Sequence, residues 1–304
     1  MGQIAHLDQD PSNDAEDNLA FLCFEHHSLY DSTTRQHKNY TLAEVKHMRN
    51  SLYEAIRNKE HAMASLPAGP PAAAEDPRYF NERRSLPDTD LIKSIWDRPH
   101  WRILIQPVEY LPGQFSDLRE CEAFVKREAV IALGSESLPI IVQGTTFSTN
   151  SVPPYLRAET DYANLPALCE SWALFQSGQF VLSRPLPGNR PAPKAMHYLE
   201  VLRVVTQSFE FNRRLSIECD FRGPVKHSVS LKKVLGHEIV VPNRLPSTRC
   251  KAEDIVEAEV CDPTEGKDAA FERARATALR IYPQFGWHDA SESDLRRAQR
   301  VFGI

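Results

Sequence analysis

The sequence predicts an α+β protein in two parts, and three observations predict it. A stretch from Ser65 to Pro77 holds four prolines and a glycine, which neither continue a helix nor pair in a sheet, so it reads as a semi-rigid linker. After it, strand-like and helix-like segments mix without regular βαβ alternation, which favours α+β over a doubly wound parallel sheet. The 304 residues give room for a small module before the linker and a larger domain after it.

In chain order, residues 2–36 predict a short strand, an irregular polar loop and a compact helical turn. The loop from Asp8 to Asp17 is rich in Asp, Asn, Ser and Pro, which favour turns by bonding back to the nearby backbone. A helix is predicted from about Leu42 to Met63. Thr41 and Glu44 form a capping box there, Tyr40 and Val45 a hydrophobic staple, and Val45, Met48, Leu52 and Ile56 share one face. These elements make a module over residues 1–64, followed by the linker 65–77 and an α+β domain over 78–304.

Within the larger domain, Asp88 or Thr89 caps a helix through Trp96, Trp101–Pro107 reads as a strand, and Ser116 caps a helix from Asp117 to about Val130. Further strands are predicted at 138–143, 172–182, 215–221, 237–241 and 254–261. Helices are predicted at 197–213, 268–282 and 291–302. The run Trp172–Phe180 reads as a strand interrupted near Gly178, where a bulge or a close backbone approach is expected. Trp96, Trp101, Trp172 and Trp287 are assigned to core packing.

Composition narrows the function classes. Hydrophobic content of 41% and charged content of 25% are those of a soluble globular chain, with no run long enough for a membrane helix and no secretory leader pattern. Six scattered cysteines without a Cys-x-x-Cys point to a reduced, cytoplasmic protein. Net charge is −5, of which residues 1–64 carry −4 (six Lys/Arg against ten Asp/Glu). Counting shows no basic face of the kind a duplex-binding module uses.

One constellation carries chemistry: His6 in Ile4-Ala5-His6-Leu7, then Asn18, then Cys23-Phe24-Glu25-His26-His27. Imidazole is suited to act as a base near neutral pH. The run from Gly2 to Asp31 resembles HNH (ββα-metal) nuclease domains of the form G-x-I-A-H-I … N-L-x-x-L-C-x-x-H-H, a likeness covering about the first 60 residues with the following helix. The resemblance implies a small ββα-metal-like module that hydrolyses DNA phosphodiesters. His6 would be the general base, Asn18 the residue that holds the hairpin loop and so positions it, and His27 the ligand of a magnesium or manganese ion. Cys23 and His26 would be half of a structural zinc site, whose other half in related domains is a Cys-x-x-Cys before the first strand. Here the chain begins at Met1 without that pair, so the expectation is a start farther upstream or support from the second domain. The position before the base, often Asp in HNH enzymes, is Ala5, and Asp8 would substitute only if the strand ended early. Two readings stay open: a metal-dependent endonuclease, and a non-catalytic interaction or sensor protein whose HNH-like segment is only structural.

Residues 78–304 lack a Walker loop, a dinucleotide fingerprint, a zincin motif and a nucleophile elbow. The run Trp101–Phe124 (WRILIQPVEYLPGQFSDLRECEAF) resembles a C-terminal region of bacterial proteins whose N-terminal part is a Schlafen/AlbA-type nucleic-acid-binding domain, which implies a prokaryotic nucleic-acid or defence context. A protein partner is a further expectation for this domain. The doublets Arg213-Arg214 and Lys232-Lys233 could touch phosphates, but basic doublets are usually just solvated surface, and no catalytic residue is assigned here.

Overall fold

The structure, a computed structural model, describes residues 2–8, 10, 12, 13, 15, 18–23, 45, 46, 49, 50, 76–133, 137–141, 145–161, 169–186, 195–241 and 249–304. The chain divides into two compact units, Met1–Pro71 and Ala72–Ile304.

In the first unit, β1 (Gly2–His6) and β2 (Leu19–Cys23) form an antiparallel hairpin, with Gly2 opposite Cys23 and His6 opposite Leu19. Val45, Lys46, Arg49 and Asn50 are helical. Val45 is buried with Ala5, Leu7 and Ala20 in a small apolar cluster. The Thr41/Glu44 capping box, most of the helix predicted over 42–63, His26, His27 and the linker through residue 75 lie outside the described residues.

The second unit is of the α+β class. It begins with α1 (Pro77–Arg84) and α2 (Asp90–Trp96). Residues 76 and 77 therefore belong to a helix start rather than to the linker: Asp76 accepts from the Arg78 amide and Pro77 takes the first helical position, where no N–H is needed. Next come β3 (His100–Pro107), α3 (Leu118–Glu128), β4 (Val130–Ile131) and β5 (Ser137–Leu138). They are followed by β6 (Phe147–Ser151), β7 (Pro154–Thr160), β8 (Glu170–Phe175), β9 (Phe180–Pro185) and β10 (Ala195–His197). After α4 (Tyr198–Glu218) come β11 (Val225–Lys232), β12 (Glu238–Val240) and β13 (Ile255–Cys261). The described chain ends with α5 (Lys267–Ile281), a 3-10 turn at Tyr282–Phe285, and α6 (Glu292–Arg300).

Seven strands form one antiparallel sheet in the order β13-β11-β3-β9-β8-β7-β6. Strand alternation sends Trp101, Ile103 and Ile105 of β3, Phe180 and Leu182 of β9, and Val225, Val229 and Leu231 of β11 into the main core. The long α4 packs into that core through Val201, Val204, Val205, Phe209 and Leu215, and α5 lies against it. His227 sits at a core position of β11, fully buried, with its ring 4.0 Å from that of Phe209; desolvation drives its pKa down to about 3, so it stays neutral.

Several expectations are corrected. The strand predicted at 215–221 is the end of α4. Leu215 follows Phe211 by four residues and keeps the buried face in phase, and the helix stops only where Asp220 takes φ +46°. The strand predicted over 172–182 is two strands, β8 and β9, joined by a turn at Gly178. There φ is +81°, and a Cβ would lie 2.8 Å from the Phe221 ring, so the close approach requires glycine. The cap of α3 is Asp117, whose Oδ1 accepts from the amides of Arg119 and Glu120, not Ser116. Trp96 is 38% exposed, unlike the other three tryptophans. Arg213 and Arg214 are half-buried and paired, not simply solvated: both bond the buried Glu210 carboxylate. The elements α1, β4, β6, β7, β10 and β11 had no counterpart among the expectations.

Candidate functional site

The hairpin of the first unit is closed by a polar loop whose bonds converge on Asn18. The Leu7 amide donates to the Asn18 carbonyl at 2.7 Å, and the Asp8 amide to Asn18 Oδ1 at 3.0 Å. Asn18 Nδ2 in turn donates to Asp8 Oδ1 and to the Asn13 carbonyl, both at 2.8 Å. A buried amide side chain thus uses both its donor and its acceptor ends to hold the loop, immediately before the β2 residue that pairs with His6. His6, at the last position of β1, is half-buried.

Asp8 lies in the turn beyond β1, and its carboxylate is engaged in the loop. Oδ1 accepts from the Asp10 amide and from Asn18, while Oδ2 accepts from Asn13 Nδ2 at 2.6 Å. These donors stabilise the anion and hold its pKa down to about 2. Among the described residues no three His, Cys, Asp or Glu side chains are grouped as metal ligands. Of the expected ligands, Cys23 ends β2 and His26 and His27 lie outside the described residues. The structure therefore brings His6 and Asn18 to one end of the hairpin.

In the second unit, polar side chains gather on the sheet face opposite α4. Alternation along β3 puts His100, Arg102 and Gln106 on this face, away from Trp101, Ile103 and Ile105. One register row across the strands reads Ser230, Arg102, Ser183, Ser171. Short serines beside a long guanidinium leave an open floor. The walls are α1 and α2, and the resulting cavity of about 430 Å³ is lined by Arg83, Arg84, Arg102, Arg157 and Trp96 among others.

A buried carboxylate anchors the α1 wall. Glu82 accepts from Tyr110 Oη at 2.9 Å, Ser177 Oγ at 2.7 Å and Gln179 Nε2 at 2.9 Å, and desolvation raises its pKa. Its neighbour Arg83 donates to Gln106 Oε1 at 3.0 Å and to Gln179 Oε1 at 2.5 Å. The α2 wall is tied by its cap: Thr89 Oγ1 accepts from the Ile92 amide and donates to Glu159 Oε1 at 2.5 Å.

No family model, curated protein or solved structure matches this chain. Function therefore rests on these side chains. Sequence reasoning missed the cleft, although β3 carries a signal for it: one arginine in an alternating apolar strand marks a polar face. Among the described residues no helix is long and apolar enough to cross a membrane.

Proposed function

We propose that the first unit is an HNH-type nuclease module, acting on DNA, joined to an α+β recognition domain in a prokaryotic nucleic-acid or defence setting. One observation carries this reading: His6 ends β1 beside the buried Asn18, whose side chain holds the loop through Asp8 and Asn13. A base in phosphodiester hydrolysis must be fixed relative to the attacking water, and a loop cross-braced at both ends supplies that fixity. His6 would accept the proton of that water as its oxygen bonds to phosphorus and the ester oxygen departs.

A magnesium or manganese ion would stabilise charge on the phosphate. The described residues do not complete a site for it, because Ala5 offers no ligand and Asp8 is committed to the loop. The role of His27 as ligand, and of Cys23 and His26 toward zinc, belongs to the proposal. The engagement of Asp8 also favours the second reading, a non-catalytic module that keeps the fold for interaction.

Plasmid nicking by the full chain, titrated with Mg²⁺ or Mn²⁺, separates the two. The nuclease reading expects metal-dependent nicks that His6→Ala reduces by about a hundredfold or more. Equal nicking by wild type and His6→Ala leaves only the interaction module.

A further inference from the structure

The cleft of the second unit carries an inference that does not depend on the chemistry of His6. Its cavity of about 430 Å³ adjoins a second of about 250 Å³, lined by Trp96, His100, Arg102, Lys232, Lys233 and Asp254. Trp96 and Arg102 line both, so the two form one trough across the sheet face. Six cations border the trough (Arg83, Arg84, Arg102, Arg157, Lys232, Lys233) against the carboxylates Asp88 and Asp254. This concentration stands on a chain whose net charge is −5.

Much of that charge is not answered by protein. Among the described residues the guanidinium of neither Arg84 nor Arg102 has a hydrogen-bond or ion-pair partner. Arg157 meets Glu159 only at 3.4 Å, and that carboxylate already accepts from Thr89. Lys232 is paired with Asp254 at 2.9 Å, and Lys233 reaches Asp97 only at 3.9 Å. Arg102 is open to solvent, yet lies on a floor with protein around it. That desolvation and the charge of Arg83 lower its pKa, as desolvation and the charges of Arg102, Lys233 and Lys232 lower that of buried His100. Unpaired like charges held together by a rigid sheet are stabilised by a bound anion.

Trp96 adds a second kind of recognition. It is the one tryptophan with an exposed ring, and it stands at the border shared by both cavities. Cations on either side of an exposed aromatic ring are the combination that binds phosphates while a base stacks between them.

We infer that this trough binds a nucleotide unit, its phosphates on Arg102, Arg84 and Arg157 and its base against Trp96. The source of the unit is a free nucleotide or a single strand of nucleic acid. Cavities on both sides of Trp96 give room for phosphates before and after one base.

Binding is read on the full chain in EDTA, so that no cutting contributes, by anisotropy of a fluorescein-labelled oligo(dT) of about twelve nucleotides. Competition by thymidine diphosphate and by pyrophosphate accompanies it. Expected are binding that weakens steeply with salt, a loss of about tenfold to a hundredfold in Arg102→Ala, partial retention in Arg102→Lys, and about a tenfold loss in Trp96→Ala that Trp96→Phe restores in part. Arg300→Ala, on the exposed side of α6, should bind as wild type does. Displacement by thymidine diphosphate at concentrations well below those of pyrophosphate identifies a free nucleotide as sufficient; an oligonucleotide far tighter than either identifies a strand. No binding at low salt, or Arg102→Ala binding like Arg300→Ala while both stay folded by circular dichroism, overturns the inference. Pyrophosphate competing as well as the nucleotide overturns the role of Trp96. A nicking-inactive protein that still binds leaves this inference standing without the nuclease reading.

Discussion

Two hairpins of this chain are closed by opposite means. The β1–β2 connection is long and polar, and its hydrogen bonds come from within: Asp8, Asn13 and Asn18 all lie on the loop they stabilise. The β8–β9 connection is a tight turn buried beneath α1. Its Ser177 and Gln179 side chains bond to Glu82, far earlier in the chain. The first connection carries its own specification, whereas the second adds to its local turn bonds between Phe175, Gly178 and Gln179 a set that forms only once distant segments have met. The second therefore stakes more stability on one residue, because a buried group that loses its partner has no water to turn to.

Removing that residue should give the largest effect. Glu82→Ala leaves the Tyr110 and Ser177 hydroxyls without their acceptor and Gln179 Nε2 with only the Tyr79 carbonyl, beside a new cavity, and should cost about 3 kcal/mol in urea denaturation of the full chain. A loss under about 0.5 kcal/mol would mean that the anchor of α1 lies elsewhere. Asn18→Ala should cost about 1–2 kcal/mol, read as faster amide exchange at Leu7 and Asp8, the amides facing its carbonyl and side chain. Unchanged exchange there would show the loop to be held by other bonds.

The smallest effect is the most diagnostic, since pH should act on the two hairpins in opposite directions. The pKa of Asp8 is depressed, so its contribution is present above the ordinary carboxylate value and is lost as pH falls through about 2. The pKa of Glu82 is raised by burial, so its contribution is fully present below the ordinary value and is lost as pH rises through the raised one. Acidification through the raised Glu82 pKa should therefore tighten exchange at Ser177 and Gln179, and only near pH 2 loosen it at Asp8. Parallel behaviour at both places would contradict these assignments.

The same contrast explains what could be read in advance. The meeting of His6 and Asn18 at one end of the hairpin was legible because the two lie close together in sequence, while their roles belong to the proposal. The α+β class was legible from the mixing of strand-like and helix-like segments, whereas the end of α4, whose apolar face continues to Leu215, was read as a strand. The start of α1 was hidden because Asp76-Pro77 is a helix-initiating pair that ends a proline-rich stretch. In β11, Val225, His227, Val229 and Leu231 point inward while Lys226, Ser228, Ser230 and Lys232 point outward, but a histidine at a core position masks the alternation. The cleft was hidden for a different reason: Arg83, Arg102, Arg157 and Trp96 sit on four separate elements, and only sheet pairing and the packing of α1 and α2 on the sheet bring them to one place.

The position of β3 also has a consequence for how the chain is made. It is the first sheet strand of its unit to be synthesised, and it ends up in the middle, paired with β9 on one side and β11 on the other. Until the ribosome has passed residue 232, one edge of this apolar strand has no native neighbour. Over that interval it is a site for wrong pairing with other nascent chains. Fragments that stop short of β11 should for that reason be recovered as aggregates, and those that include it as folded material.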